Sequence, residues 1–234
     1  MPDKPILLGF SPALGLPDPS PFTMKVYLFL KANQIDFELQ PGDVRKTPYN
    51  KIPVLEHAGQ VIADSELIID YLAKMFEVEE PPLEAQQHAY GKLLASALDD
   101  KLYWSIVYAR WMVDENAAVI RDAIFADVPS LVRKPLFAFI RRSVRRDLHG
   151  QGIGRLPESL IYDFARRELA ALSDALGDNT FLFGDAITRY DCALAAYVAQ
   201  MLPEGLDSPH ARFLESHPNL VDYWQRIRAD YVDS

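Results

Sequence analysis

Residues 51–72 read KIPVLEHAGQVIADSELIIDYL, and this stretch decides the first half of the fold. Two short strand-like runs, at residues 53–56 and 61–63, flank a segment that contains Gly59, which is the pattern of a β-hairpin. From about Ser65 to Phe76 the apolar residues recur at three- and four-residue steps, and this spacing predicts an amphipathic helix. The stretch therefore predicts a β-β-α unit.

The residues upstream of this unit predict a β-α-β unit. Residues 6–9 form a short apolar run, helical spacing extends from about Phe22 to Ala32, and residues 35–40 alternate between apolar and polar side chains. Two parallel strands need a crossover connection, which the intervening helix provides. The order βαβ-ββα therefore predicts an α/β domain with a mixed four-stranded sheet and helices on its faces.

A second, all-helical part follows a clear break in the pattern. Residues 79–82 read EEPP, which predicts a linker. Beyond it the apolar spacing is helical almost throughout, beginning with a predicted helix over about residues 84–115. We therefore divide the chain into an α/β domain of residues 1–79, a linker of residues 80–84 and an all-α domain of residues 85–234.

Composition excludes several functional classes. The 234 residues are 49% hydrophobic and 24% charged, which is typical of a soluble globular protein. The net charge of −9 argues against nucleic-acid and anionic-membrane partners, since both attract cations. No run reaches the roughly 18–20 residues of a membrane helix, and no signal peptide is evident, so a cytoplasmic location is expected. The five histidines lack metal-ligand spacing, so no metal is expected.

Ser20 stands between the first predicted strand and the first predicted helix, followed by Pro21. Serine is a preferred N-cap and proline is favoured at the first helical position, so one interpretation is that Ser20 only caps the helix. The same position also suits chemistry, because a helix N-terminus carries unpaired N–H groups and favours an anion such as a thiolate. A serine hydroxyl that donates to a bound thiol would raise its thiolate fraction. Both interpretations remain open at the level of sequence.

Four motifs follow one another along nearly the whole chain. They are Ser20-Pro21-Phe22-Thr23, Lys51-Ile52-Pro53-Val54-Leu55, Asp64-Ser65 with Ile68 and Tyr71-Leu72, and Thr188-Arg189-Tyr190-Asp191. In this order they together resemble the glutathione S-transferase family. Residues 12–17, 61–68 and 150–155 are more specifically similar to its failed-axon-connections and metaxin-like branch. The resemblance implies a thioredoxin-like domain followed by a helical domain.

The resemblance also implies a glutathione site in the first domain, with glutathione as co-substrate. Ser20 would stabilise the thiolate, and a cis Pro53 would let the backbone of Ile52 pair with the cysteinyl part. Asp64 and Ser65 would bind the γ-glutamyl part at a helix N-terminus. Lys51 would contact the glycyl carboxylate. Purely structural alternatives remain open: helix capping by Asp64 or Ser65, and a solvated Lys51.

Two further features belong to the helical half. Aromatic residues recur at helical spacing between residues 103 and 112, which indicates either core packing or an apolar acceptor site next to the first domain. The predicted members of a hydrophobic substrate site are Trp104, Tyr108 and Trp111. Thr188 and Asp191 have the spacing of a capping box, and we assign them to stability only.

These observations lead to two functional hypotheses. The first is a serine-type glutathione transferase that conjugates the thiolate of glutathione to a small hydrophobic electrophile in detoxification. The second is a non-catalytic adaptor or binding protein on the same fold. Ser20 and Thr23 stand at both ends of a would-be CxxC, and Cys192 is the only cysteine, so a thiol–disulfide reductase is not expected. A symmetric homodimer is expected, without nucleic-acid or membrane partners.

Overall fold

The computed structural model describes residues 4–126 and 128–233, which form an α/β half and a helical half. The strands are β1 (Ile6–Gly9), β2 (Glu38–Pro41), β3 (Val54–His57) and β4 (Gln60–Ala63). The helices of the α/β half are α1 (Pro21–Ala32) and α2 (Ser65–Met75). Those of the helical half are α3 (Ala85–Ala97), α4 (Tyr103–Trp111), α5 (Asp114–Ile124), α6 (Ser130–Gln151), α7 (Glu158–Leu176), α8 (Arg189–Met201), α9 (Pro209–Leu214) and α10 (Pro218–Tyr231).

The four strands form one mixed sheet in the order β2-β1-β3-β4. β1 runs parallel to β2 and antiparallel to β3, and β3 forms an antiparallel pair with β4. Val54 pairs with Leu8 on one side and with Ala63 on the other. The predicted βαβ-ββα order and mixed sheet are confirmed, as is the helical second half. The pairing also places the end of β1, the start of β3 and the end of β4 at one edge of the sheet.

Helix α1 lies where the two halves meet, because it packs against α2 and extensively against α8. Helix α8 is buried on all sides, with every residue from Tyr190 to Met201 buried. Four alanines in this helix leave room for close helix packing, and its apolar side chains share one core with those of α1 and the sheet. The start of α1, where Ser20 lies, is therefore part of a domain junction.

The prediction of a single helix over about residues 84–115 is wrong in detail. A π-helical turn at Leu98–Leu102 separates α3 from α4, and α4 ends at Trp111 before α5 begins. The guanidinium of Arg141 in α6 donates to the carbonyl oxygens of Trp111 at 2.6 Å and Met112 at 3.0 Å. A partner distant in sequence thus satisfies the carbonyls at the end of α4, which apolar spacing alone does not reveal.

The long loop between β1 and α1 is packed against the helical half. Leu14 and Leu16 are buried, and Leu14 joins an apolar cluster with Ile120 of α5 and Phe137 of α6. The carbonyl oxygen of Leu14 accepts a hydrogen bond from the N–H of Glu204 at 3.1 Å. The helical half therefore supports the loop that leads to Ser20.

The connection between the two halves, residues 76–84, contains neither helix nor strand. Arg189, at the start of α8, bonds both Asp70 of α2 and Glu80 of this connection. Within the described ranges, no helix combines the length and the apolar character that a membrane crossing requires. The boundaries predicted at residues 79–85 stay a prediction.

Candidate functional site

Ser20 occupies the N-cap position of α1 and is largely buried. Its carbonyl oxygen accepts the N–H of Met24 at 3.0 Å, but its hydroxyl makes no capping hydrogen bond. In the described part of the chain this hydroxyl has no hydrogen-bond partner. Ser20 therefore holds the N-cap position without a side-chain capping bond, and its hydroxyl is available to a ligand at a helix N-terminus.

The carboxylate of Asp18 occupies the space beside the Ser20 backbone. Its Oδ1 accepts the N–H of Ser20 at 2.7 Å, and its Oδ2 accepts the N–H of Phe10 at 2.6 Å. Asp18 is fully buried, and this burial raises its pKa to about 7, although both backbone hydrogen bonds and the charge of Arg110 act in the opposite direction. A buried carboxylate thus links the end of β1 to the start of α1.

Two residues of the helical half hold the same loop from the other side. The guanidinium of Arg110 in α4 donates to the carbonyl oxygen of Pro19 at 2.7 Å and to the side-chain oxygen of Gln200 at 2.7 Å. The amide of Gln200 in α8 donates to the carbonyl oxygen of Asp18 at 3.1 Å. Arg110 is buried, which lowers its pKa to about 10, so it remains a cation at neutral pH.

The Ile52–Pro53 peptide bond is cis and lies directly before β3. Pro53 is buried, Ile52 is partly buried and Lys51 is exposed. Since Val54 pairs with Leu8, the backbone of Ile52 lies at the sheet edge where β1 ends. Ile52 and the loop that carries Ser20 therefore leave the sheet at the same end.

The N-terminus of α2 reaches the same edge, because Ala63 at the end of β4 pairs with Val54. Asp64 has a φ of 87°, in the left-handed region, and its Oδ1 accepts the N–H of Glu66 at 2.9 Å. Asp64 thus caps α2, as one sequence interpretation expected. Ser65 is buried, and its side chain forms no capping bond. The structure brings Ser20, Ile52 and Asp64–Ser65 to one edge.

An ion cluster centred on the buried Lys25 lies next to the start of α2. Lys25 of α1 is 1% exposed, and its ammonium lies 2.8 Å from Glu66 and 3.4 Å from Asp99 of the π turn. Glu66 also pairs with Lys92 at 3.0 Å, and Asp99 accepts the hydroxyl of Tyr197 at 2.9 Å. Burial alone raises the pKa of Glu66, but the two lysines outweigh it and lower that pKa. For Asp99 burial prevails and raises the pKa.

The three predicted hydrophobic-site residues point to different neighbours. Trp111 stacks on Phe137 at a centroid distance of 5.3 Å, and Tyr108 contacts Tyr162 at 6.1 Å. Trp104 contacts Tyr103 at 5.2 Å. The structure therefore does not gather Trp104, Tyr108 and Trp111 into one cluster.

Tyr103 is the aromatic residue of α4 that reaches the start of α1. Its ring lies 5.0 Å from that of Phe22, two residues after Ser20. It is one helical position before Trp104. Tyr103, Val107 and Trp111 form one stripe at four-residue spacing, and Trp104, Tyr108 and Met112 form a second stripe shifted by this one position. Only the packing of α4 against α1 reveals which stripe borders Ser20.

Thr188 and Asp191 form both hydrogen bonds of a capping box at the start of α8. Asp191 also accepts the N–H of Leu182 at 2.8 Å and the hydroxyl of Tyr223 at 3.0 Å. The next residue, Cys192, is a free and buried thiol, and burial raises its pKa well above its usual range. In residues 4–126 and 128–233 no group of three His, Cys, Asp or Glu side chains could hold a metal ion.

Sequence reasoning missed Asp18, Lys25, Arg110 and Gln200. The sequence could have indicated that Lys25 is buried. This cation lies in α1 between apolar residues, and the structure shows that those residues are buried. Arg110 likewise interrupts the most apolar stretch of the helical half. Both patterns indicate a buried charge that needs a partner. The partners themselves lie far away in sequence, so no local pattern identifies them.

Comparisons with known proteins match both halves of the chain. A family model described as "Glutathione S-transferase N-terminal domain" matches residues 21–116, and one described as "Glutathione S-transferase, C-terminal domain" matches residues 165–227. An isoprene-epoxide–glutathione S-transferase of Rhodococcus sp. (strain AD45) is 33% identical over 232 residues, which cover 95% of this chain and 97% of that protein.

Two relatives of other kinds are longer than this chain. Failed axon connections of Drosophila melanogaster is 27% identical across 95% of this chain and 56% of its own length. Metaxin-1 of Macaca fascicularis is 28% identical across 80% of this chain and 62% of its own length. Among solved structures, glutathione transferase GSTFuA3 from Phanerochaete chrysosporium superposes with a TM-score of 0.70 at 17% identity and covers 98% of both chains, which supports the fold alone.

Proposed function

The chain belongs to the glutathione S-transferase family, and from this premise we propose that it is an active, serine-type glutathione transferase. Glutathione binds at the sheet edge where Ser20, Ile52 and Asp64–Ser65 meet. The Ser20 hydroxyl donates to the sulfur of glutathione and stabilises its thiolate. The thiolate then attacks a small hydrophobic electrophile held against the aromatic residues of α4.

The observation that carries this proposal is the unpaired Ser20 hydroxyl at the N-cap of α1. Asp18 accepts the Ser20 N–H and holds the backbone at the helix start, and the hydroxyl engages no N–H of the first helical turn. The helix N-terminus adds partial positive charge, which favours a thiolate over a thiol. Proximity of the bound thiolate to the electrophile then supplies the remaining rate enhancement.

The other contacts of glutathione follow from the same edge. The backbone of Ile52, set by the cis bond to Pro53, pairs with the cysteinyl part in the manner of an added strand. The N-terminus of α2, with Ser65, binds the γ-glutamyl carboxylate, and Asp64 contributes to recognition of the neighbouring ammonium group. Lys51 is exposed beside this edge and pairs with the glycyl carboxylate.

We further propose that the protein is a homodimer and that it acts in the cytoplasm. Exposed apolar side chains lie on three neighbouring elements: Val61 of β4, Leu67 of α2, and Tyr90 and Leu93 of α3. Strand β4 packs against α2, and the Glu66–Lys92 ion pair links α2 to α3. We assign this surface to a two-fold homodimer. A buried, unpaired Cys192 is in keeping with the reducing cytoplasm, where the proposed role is detoxification.

The alternative is a non-catalytic adaptor or binding protein. It is favoured by the similarity to Failed axon connections and metaxin-1 across most of this chain, although this chain spans only 56% and 62% of those proteins. An adaptor would keep the fold, the hydrogen bonds of Asp18, Arg110 and Gln200, and the ion pairs of Lys25. It would not need an unpaired hydroxyl at Ser20, which is why we prefer the enzyme.

The test combines retention on immobilised glutathione with conjugation of a generic electrophile. Loss of a hydrogen bond to a charged group costs about 1.5–3 kcal/mol, so Ser20→Ala should lower kcat by roughly 10- to 100-fold while retention persists. Ser216→Ala, a change at an exposed serine of the helical half, should leave kcat unaltered. Wild-type protein that is neither retained nor active would favour the adaptor. Full activity of Ser20→Ala would refute the serine assignment.

A further inference from the structure

We propose that Asp18, held by Arg110 and Gln200 of the helical half, is a positioning residue that fixes the Ser20 hydroxyl against the thiol of glutathione. The inference rests on the proposed function but names residues outside the motifs that carry the family resemblance. Asp18 is too buried to touch glutathione itself, so it acts through the backbone on either side of Ser20.

The geometry around Ser20 is held at three successive residues. The N–H of Ser20 bonds Asp18 at 2.7 Å, the carbonyl oxygen of Pro19 bonds Arg110 at 2.7 Å, and the carbonyl oxygen of Asp18 bonds Gln200 at 3.1 Å. Arg110 and Gln200 also bond each other at 2.7 Å. Since all five of these residues are buried, water does not compete with these bonds. The backbone that carries the Ser20 hydroxyl therefore has little freedom to shift.

Gly9 at the end of β1 leaves room for the Asp18 carboxylate. A Cβ atom at Gly9 would lie 2.2 Å from Oδ2 of Asp18 and 2.7 Å from Cγ2 of Thr23. Only glycine lets the strand approach this closely. The carboxylate thus sits in a space made by Gly9, from which it reaches the N–H groups of both Phe10 and Ser20.

The chemical identity of Asp18 matters because it faces two N–H donors. In Asp18→Asn one carboxylate oxygen becomes an NH₂ group, which cannot accept from either Phe10 or Ser20. Two donors then face each other in a buried site, and the Ser20 backbone must move to relieve this. We therefore expect the hydroxyl to lose its alignment with the sulfur of glutathione without loss of the remaining glutathione contacts.

The test measures the pKa of the bound glutathione thiol from the ultraviolet absorbance of the thiolate, together with kcat and KM. In Asp18→Asn the thiol pKa should rise by roughly half a unit to one unit and kcat should fall by roughly three- to tenfold. The KM for glutathione should stay within about twofold of wild type. Gln200→Leu, which removes the bond to the Asp18 carbonyl but keeps the carboxylate, should shift the same quantities less and in the same direction.

Asp191→Asn is the matched control, since Asp191 is a fully buried aspartate that accepts several hydrogen bonds in the same helix as Gln200. It should lower the thermal midpoint but leave the bound thiol pKa at its wild-type value. If Asp18→Asn lowers the thermal midpoint and likewise leaves the thiol pKa and kcat unchanged, its role is structural and the proposal is overturned.

Hydrogen exchange of the peptides that cover residues 10–20 separates this proposal from the proposed function. If wild-type protein binds no glutathione, the transferase proposal fails on its own. Faster exchange of this loop in both Asp18→Asn and Gln200→Leu, but not in Asp191→Asn, would still support the positioning of Ser20. Wild-type exchange rates in the first two variants would overturn it.

Discussion

Ser20 occupies a helix N-cap without the hydrogen bond that a capping side chain usually forms. A capping serine normally accepts an N–H of the first helical turn, which engages its hydroxyl oxygen. Here the Ser20 hydroxyl forms no such bond, while Asp18 accepts the N–H of Ser20 itself at 2.7 Å and holds the chain at the helix start. Burial of the Asp18 carboxylate costs free energy, so this arrangement at Ser20 lowers the stability of the folded protein.

The titration of Asp18 leads to a prediction for stability against pH. Its pKa is about 7 in the folded protein against an ordinary value of 3.8, because burial disfavours the charged form. Between these values the folded state binds a proton that the unfolded chain has released. The contribution of Asp18 to stability is therefore full below 3.8 and is lost as the pH rises through about 7.

Asp18→Asn removes this titration. The free energy of unfolding of the wild type should consequently fall relative to that of Asp18→Asn as the pH rises from 3.8 to about 7. The change should amount to a few kcal/mol, since one pKa unit corresponds to about 1.4 kcal/mol. Urea unfolding across this range measures it. A stability difference that does not vary with pH would contradict the shifted pKa.

Among the secondary-structure elements, α1 and α2 and the π turn are joined by the ion cluster of Lys25. The turn projects Asp99 toward α1, and α2 presents Glu66 from its first turn, so one ammonium pairs with carboxylates from both halves. Removal of one partner from a buried ion pair is much more destabilising than loss of a surface pair, because the remaining charge is left uncompensated. The cluster therefore fixes α2, whose N-terminus is proposed to bind glutathione.

We expect Lys25→Met to lower the free energy of unfolding by about 3 kcal/mol. The double variant Lys25→Met/Asp99→Asn should recover part of this loss, since it also removes the carboxylate that Lys25→Met leaves without a cation, whereas Glu66 keeps its pair with Lys92. Lys101→Met is the control: its pair with Glu168 is exposed, and its loss should change stability by less than about 1 kcal/mol. Denaturant unfolding measures all three variants. Equal losses for Lys25→Met and Lys101→Met would show that burial of the cluster does not matter.

At the scale of the whole molecule, the two halves behave as one packed body. Helix α8 is buried between α1 and the other helices, and the apolar core runs from the sheet through α1 into the helical half. The loop from β1 to α1 is held by Arg110 and Gln200, and Arg189 ties α8 to α2. The geometry at Ser20 consequently depends on both halves.

The proposed homodimer is tested at Leu93, which is 70% exposed on α3. A charge in the centre of an apolar interface is strongly unfavourable, so Leu93→Glu should give a monomer in light scattering at concentrations where the wild type is a dimer. Leu131→Glu changes an 88% exposed leucine on α6, outside the assigned surface, and should leave the dimer intact. Dissociation by Leu131→Glu with no effect of Leu93→Glu would place the interface on α6 instead.

Contiguous residues were sufficient to predict the order of strands and helices, because hydrophobic spacing reports local conformation. They also predicted the position of Ser20 at a helix start. Single-sequence reasoning could not locate the π turn or the end of α4, because residues of α6 and α1 stabilise them. It also could not distinguish the aromatic stripes of α4, which differ by one residue.

By itself, the sequence determined the fold class and the family, since both depend on short motifs and on the order of elements along the chain. The tertiary structure alone decided what surrounds Ser20. The bonds of Pro19 to Arg110 and of Asp18 to Gln200 span 91 and 182 residues, and no local pattern encodes a contact at such separation. Whether the serine hydroxyl caps its helix or stays unpaired depends on those distant partners, because they hold the backbone in place.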